Sequence, residues 1–198
     1  MLSHPLYFIR HGETDWNAER RYQGQTDIPL NDTGRAQATR NGAALADYFR
    51  DEGIDGADLD FVASPMARAR ETMERVRQGM GLAPEPYRLD RRLIEASYGD
   101  WEGNTIPELA ARLPGELEKR RAAPWTYEPP HGESYRALSG RVAAWLAEID
   151  RPTVAVSHGG VSRVLRGLLL DIEKDEIPVL DVPQDKVFVW RRGQAFWL

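Results

Sequence analysis

The chain contains no cysteine. Disulfides, thiolate metal sites and a cysteine nucleophile are therefore excluded together. No apolar run is long enough to suggest a membrane span. The short run near the start, Leu6 to Ile9, meets Arg10 too early for a secretory signal, so the expected location is cytoplasmic. Positive charge is also scarce: 26 Lys and Arg stand against 31 Asp and Glu, a net charge of −5. Without a global basic field, nucleic acid is not an expected partner. An enzyme for anionic substrates would have to concentrate its cations locally. Internal repeats and low-complexity tracts are absent too.

What remains is ordinary for a soluble globular protein: 198 residues, 41% hydrophobic and 29% charged. That length suits one α/β domain over residues 1–198 better than two. Three short apolar runs behave alike. Leu6 to Ile9 ends in Arg10-His11-Gly12, Phe61 to Ala63 ends in Ser64-Pro65, and Thr153 to Val156 ends in Ser157-His158-Gly159-Gly160. Each reads as a buried strand halted by turn residues. Helical patterns lie between or after them: one capped by Asp32-Thr33 and running to about Arg50, then Met66 to Met80, Glu133 to Ile149, and Gly160 to about Leu170. The alternation predicts a three-layer α/β/α sandwich around a mostly parallel sheet. Lys186 to Trp190 and Ala195 to Leu198 flank Arg192-Gly193-Gln194, the pattern of a hairpin at a sheet edge. Residues 91–130, rich in Pro, Gly, charge and aromatics, read as a lid or substrate excursion with short helices over Ile106 to Leu113 and Gly115 to Arg121.

In open α/β sheets ligands bind beyond the carboxyl ends of the strands. The first strand end delivers Arg10 and His11, the second Arg68 one helical turn after Ser64, and the third His158 before two glycines that open a helix. Two imidazoles, two guanidiniums and free helix N–H groups, Gly159 among them, suit a tetrahedral dianion. Asn17 can add its amide. A neutral imidazole attacks phosphorus well, and neighbouring arginines disfavour its protonation while stabilising the transition-state oxygens. The leaving alkoxide then needs a proton, for which these residues leave Glu13, Glu95, Asp100 and Glu102 open. Two other phosphate chemistries do not fit. Asp58-Leu59-Asp60 precedes its strand instead of following it, as an aspartate nucleophile would, and no Gly-Lys-Ser/Thr completes a P-loop after Gly159-Gly160.

Arg10-His11-Gly12-Glu13-Thr14 with Trp16-Asn17 resembles the opening motif of the histidine phosphatase superfamily, in its phosphoglycerate-mutase-like branch. Ser64 to Thr72 is similar to the second block of that family, with Pro65 where an aspartate is frequent. Ser157-His158-Gly159-Gly160 is similar to the third. Leu93-Ile94-Glu95 with Tyr98-Gly99-Asp100-Trp101-Glu102-Gly103 resembles the stretch that supplies the proton donor. The four blocks span residue 6 to about residue 170 in family order. The resemblance implies a phosphohistidine on His11, phosphate binding by Arg10, Arg68 and His158, and general acid/base catalysis by Glu95.

The expected activity is metal-independent hydrolysis of a small phosphomonoester, with no cofactor, no metal ligands, and assembly as a homodimer left open. Tyr22, Tyr98 and Trp101, with Trp16, Trp125 and Tyr127, are expected to supply an apolar wall for the organic part of the substrate. Arg70 should point elsewhere on its helix, and His4 and His131 should be solvated. Two alternatives stand beside this reading: a phosphoglycerate mutase using the same phosphohistidine, and a non-catalytic phosphate- or phosphoprotein-binding module. Arg120-Arg121 resembles the paired arginines of the mutases. Against the mutase stand the compact middle segment and an end at Leu198 that leaves no tail to cover the cleft.

Overall fold

A computed structural model describes residues 2–198, Ala57 through its backbone alone. Six strands form one sheet: β1 (Leu6–Arg10), β2 (Asp60–Ala63), β3 (Arg88–Leu89), β4 (Thr153–Ser157), β5 (Val187–Arg191) and β6 (Gln194–Trp197), in the order β3-β2-β4-β1-β5-β6. The pairings β3–β2, β2–β4 and β4–β1 are parallel, whereas β1–β5 and β5–β6 are antiparallel. The helices are α1 (Asp15–Ala18), α2 (Asp32–Glu52), α3 (Ala67–Gly79), α4 (Ile106–Arg112), α5 (Pro114–Ala122), α6 (Tyr135–Leu146) and α7 (Gly159–Leu170).

The central strands are buried on both faces, which is why they read as unbroken apolar runs. Period-two alternation divides them between two cores. Leu6 and Phe8 of β1, with Phe188 and Trp190 of β5, pack against Leu138, Val142 and Trp145 of α6 and Val161, Val164 and Leu165 of α7. Tyr7 and Ile9, with Val187 and Val189, face Leu45 and Phe49 of α2 and Ala69, Met73 and Val76 of α3. Each large side chain buried in this way contributes about 1.5–3 kcal/mol. The predicted edge hairpin is present, and its two turn residues, Arg192 and Gly193, have φ of 53° and 76°, the geometry that matches strand twist. Within residues 91–130, α4 and α5 enclose a small third core of Trp101, Leu109 and Leu117.

The starts of α2 and α6 depart furthest from expectation, the others by one residue at most. The cap of α2 is Asn31, not Asp32-Thr33: its extended backbone lets the side chain accept from Gly34 N at 2.9 Å. Ser134 likewise caps α6 through Ala137 N at 3.3 Å, so that helix begins two residues later than the apolar pattern suggested.

The first turn of α2 presses directly on the backbone leaving β1. A Cβ on Gly12 would sit 2.2 Å from Gly34 O, and one on Gly34 would sit 2.1 Å from Glu13 O. Backbone against backbone has no side chain to move aside. Gly12→Ala should therefore lower the free energy of unfolding by about 1–3 kcal/mol in urea melts. An unchanged midpoint would show that the approach is slack.

Candidate active site

Strand register assembles the site. Arg10 lies opposite Ser157 and Ala63 opposite Val156, so β1, β2 and β4 end at one level. The next residues stay in step: His11 N donates to Ser157 O at 2.8 Å, and Ser64 N to Val156 O at 2.9 Å. His11 and His158, one residue past β1 and β4, consequently meet edge to face with ring centroids 5.1 Å apart.

His11 is 3% exposed, and its Nδ1 donates to Gly12 O at 2.8 Å. That bond fixes the tautomer and leaves the Nε2 lone pair free. Burial, then the Arg68 and Arg10 guanidiniums, hold its pKa well below 6.5. His158, fully buried, is pushed down in the same way, first by burial and then by Arg68. Its Nε2 lies 2.7 Å from Ser64 Oγ. With the Ser64 hydroxyl donating to Nε2, the proton of His158 resides on Nδ1, a buried atom without a partner among the described residues.

A cavity of about 390 Å³ opens over His11, walled by Arg10, Asn17, Tyr22, Gln23, Arg68, Glu95, Tyr98 and Gly159 among others. Arg10 donates from Nη1 to Val182 O at 2.7 Å, and Arg68 from Nη1 to Thr26 O at 2.8 Å and from Nη2 to Gly24 O at 2.7 Å. The Nε of each is buried with no partner among the described residues. Burial lowers the pKa of Arg10 to about 10 and shifts that of Arg68 downward as well. The loop that receives Arg68 is itself pinned. Glu102 accepts from Gln25 N, Thr26 N and Thr26 Oγ1 at 3.0, 3.0 and 2.6 Å, and from Tyr98 N at 3.1 Å.

Of the four carboxylates left open by the sequence, Glu95 is on the cavity wall. It is 8% exposed and accepts from Gly160 N at 3.0 Å and Ala96 N at 2.9 Å. The first turn of α7 thus holds it, and a Cβ on Gly160 would strike its Oε1 at 2.5 Å. Glu102 is occupied with the loop, Glu13 accepts from Asn31 Nδ2 at 3.0 Å, and Asp100 pairs with exposed His131 at 3.0 Å.

Other expectations meet the structure unevenly. Arg10, His11, Asn17, Arg68, Glu95, Gly159, Tyr22 and Tyr98 share the cavity, whereas His158 lies against His11 and off the wall. Trp101 does not reach the cavity. It is fully buried in the third core, 5.5 Å from the Tyr22 ring and 5.4 Å from that of Tyr127, so it backs the wall instead of forming it. Trp125 packs on the main core and Tyr127 donates to Glu116 at 2.6 Å, so neither makes the expected apolar wall. Tyr22 and Tyr98 do line the cavity, with Ile106 and Pro178, and they share it with a set of cations, Arg20, Arg21, Arg120 and Arg163 alongside Arg10 and Arg68. Arg70 faces Tyr87, away from the site.

Sequence reasoning missed Arg163, Gln23 and Gln184. Arg163 lies just over one turn along the helix that His158 opens. Gln23 has a buried Nε2 without a partner among the described residues, and Gln184 ties His11 O (2.9 Å) to Asn17 Oδ1 (3.1 Å). Among the described residues, no three His, Cys, Asp or Glu side chains cluster as a metal site, and no helix is long and apolar enough to cross a membrane.

A family model described as histidine phosphatase superfamily (branch 1) matches residues 6–195. A glucosyl-3-phosphoglycerate phosphatase of Mycolicibacterium vanbaalenii is 35% identical over 188 residues, 88% of this chain and 78% of that one. A 6-phosphofructo-2-kinase/fructose-2,6-bisphosphatase of Caenorhabditis elegans is 29% identical over 185 residues, 92% of this chain and 38% of that one. The solved structure of a mycobacterial glucosyl-3-phosphoglycerate phosphatase with VO3 superposes with a TM-score of 0.76 at 30% identity, covering 99% of this chain and 97% of that chain.

The two depressed imidazoles make stability depend on pH. An unfolded histidine binds its proton near pH 6.5, while the folded rings stay neutral well below that. Below about pH 6.5 the unfolded chain therefore takes up more protons, and the free energy of unfolding falls with pH. Each ring adds up to about 1.4 kcal/mol per pH unit in that window. Urea midpoints between pH 7.5 and 5.5, in a buffer without phosphate, should show this slope, and His11→Asn with His158→Asn should flatten it.

Proposed function

The chain belongs to the histidine phosphatase superfamily, branch 1, and on that footing we propose that it is a phosphomonoester hydrolase working through a phosphohistidine on His11. The observation that carries this reading is the free Nε2 of a buried, neutral His11 in a cavity between two guanidiniums whose Nε donors have no partner among the described residues.

The Nε2 lone pair attacks phosphorus in line with the ester oxygen. Arg10 and Arg68 take the charge on the equatorial oxygens, where most phosphoryl-transfer catalysis resides, while His158, buried against His11, adds the field of its Nδ1 proton from behind. As the P–O bond breaks, protonated Glu95 gives its proton to the leaving alkoxide. The resulting carboxylate then takes a proton from water as the water oxygen attacks the phosphohistidine. The N–P bond breaks, inorganic phosphate leaves, and His11 returns neutral with Glu95 again protonated. Asn17 and Gln23 hold the first loop against this pocket. Charge stabilisation comes from side chains throughout, so the cycle calls for no metal. Small phosphorylated molecules are the substrates, as the names of the relatives indicate for those proteins. A cytoplasmic location fits such a role.

Rapid mixing followed by alkaline quench should trap phosphate on the wild-type protein that is stable to alkali and lost in acid, and none on His11→Ala. Labelling of His11→Ala at wild-type turnover would falsify the nucleophile assignment.

The proton donor is tested through the leaving group. General acid catalysis contributes about 10²–10⁴-fold and matters little for a phenolate that departs unaided. Glu95→Gln should therefore lose about that factor on alkyl phosphates while retaining the burst of p-nitrophenolate from p-nitrophenyl phosphate. Equal loss of both would assign Glu95 a structural role at the start of α7.

A further inference from the structure

In the proposed cycle Glu95 delivers its proton from a stretch of chain that no helix or strand supports. Residues 94–98 lie between two short 3-10 turns, Arg91–Leu93 and Gly99–Trp101, yet Leu93, Glu95 and Ala96 are buried. Buried backbone carbonyls without a ladder must find other donors. Four consecutive ones do. Arg92 O and Ile94 O accept from Arg141 Nη1 at 2.6 and 2.5 Å, and Leu93 O accepts from Ser157 Oγ at 2.6 Å. Glu95 O accepts from Arg141 Nη2 at 3.1 Å and from Gln25 Nε2 at 3.0 Å.

Arg141 is at the centre of this arrangement. It stands on α6, off the cavity wall. Its Nε and Nη2 donate to Glu133 Oε1 and Oε2 at 2.9 and 2.8 Å, a side-by-side pair that fixes the plane of the guanidinium. The other N–H groups are thereby aimed at three carbonyls of one segment, and all five donors are engaged. An ammonium could not do this, having three N–H groups on a single atom and no fixed plane. Glu133 closes the clamp further along, its own N donating to Ser97 O at 2.8 Å.

The carboxylate of Glu95 is held by Gly160 N and Ala96 N. Three rotatable bonds separate that carboxylate from its Cα, and Ala96 N moves with the segment. The place of the Cα is therefore set by the grip on the carbonyls. A reacting group displaced by about 1 Å can lose on the order of 10²-fold in rate.

We propose that Arg141 is a positioning residue for the proton donor: through the carbonyls of residues 92, 94 and 95 it holds Glu95 where its carboxyl reaches the leaving oxygen. The assignment rests on the hydrolase reading and deepens it, giving the proton-transfer step a residue that never touches substrate. Gln25 adds support from the loop whose Gly24 and Thr26 carbonyls receive Arg68, so the donor and the phosphate-binding cation are placed against one another.

The test uses leaving groups. A residue that acts through Glu95 matters where the ester oxygen needs a proton, and not where a phenolate departs unaided. Arg141→Gln should lower kcat on glycerol 3-phosphate about 10- to 100-fold with little change in KM, while the p-nitrophenolate burst from p-nitrophenyl phosphate stays within about threefold of wild type. Arg141→Lys, which keeps the charge and can serve one carbonyl, should recover part of the loss. In the Glu95→Gln background, Arg141→Gln should cost almost nothing further, since the group it positions is gone. Calorimetric binding of inorganic phosphate should match wild type in each variant and report an intact phosphate pocket. Should Arg141→Gln not fold, Arg141→Lys carries the same comparison. Equal losses on the two esters, or losses that multiply in the double variant, would make Arg141 a merely structural residue and overturn the inference. A wild-type protein that releases phosphate from neither ester would instead sink the hydrolase reading, and the positioning role with it.

Discussion

Parallel pairing of β1, β4 and β2 in one register is the constraint from which the site follows. With Arg10 opposite Ser157 and Ala63 opposite Val156, the first residue beyond each strand cannot avoid the others. His11 and His158 then meet at 5.1 Å although they stand 147 positions apart in the sequence. A slip of one residue in either pairing would turn alternate side chains to the opposite core and draw the imidazoles apart. The two cores on either face of the sheet specify that register strongly. Stability and chemistry therefore share one determinant, and the close approach of Gly12 to Gly34 locks it at the point where the chain leaves the sheet.

A second pattern concerns how the cations are held. Arg10, Arg68 and Arg163 are each anchored by backbone carbonyls: those of Val182, of Gly24 and Thr26, and of Leu180. A carbonyl fixes a guanidinium in space without cancelling its charge, whereas a carboxylate would do both. The positive field over His11 is therefore preorganised, and burial lets it act at low effective dielectric. Burial, and after it the same field, keeps His11 neutral. Glu95 enters this ring of charge held by backbone N–H groups, so the arrangement does not consume an arginine to position it.

Much of this was legible in the sequence because strand ends are local. Arg10, His11, Arg68 and His158 sit beside the turn residues that stop their strands, and a parallel sheet brings such ends together. Glu95 was less legible: composition and pattern left it level with Glu13, Asp100 and Glu102, and what separates them is tertiary, namely which carboxylate meets the first turn of α7. Trp101 was misread because an aromatic residue in an irregular segment looks the same whether it lines a cleft or fills a small core. Here Leu109 and Leu117 decide the matter by packing on it. Arg163 and Gln184 were invisible for the opposite reason. Their polarity is ordinary for a helix face and a loop, and their place in the cavity depends on segments joined through β4, α7 and β5.

The unpartnered guanidinium donors also bear on what the protein experiences in solution. An ordered cavity whose cations outnumber their counter-charges is a sensor of the surrounding electrolyte. Any small dianion that enters it, and does not bind the unfolded chain, stabilises the fold by mass action, by about 2.7 kcal/mol at a hundred times its dissociation constant. Phosphate, the product of the proposed reaction, is such an ion. Resistance of this protein to heat or proteolysis would then rise and fall with the phosphate around it, and the catalytic pocket would double as the point at which metabolic supply sets the lifetime of the folded chain.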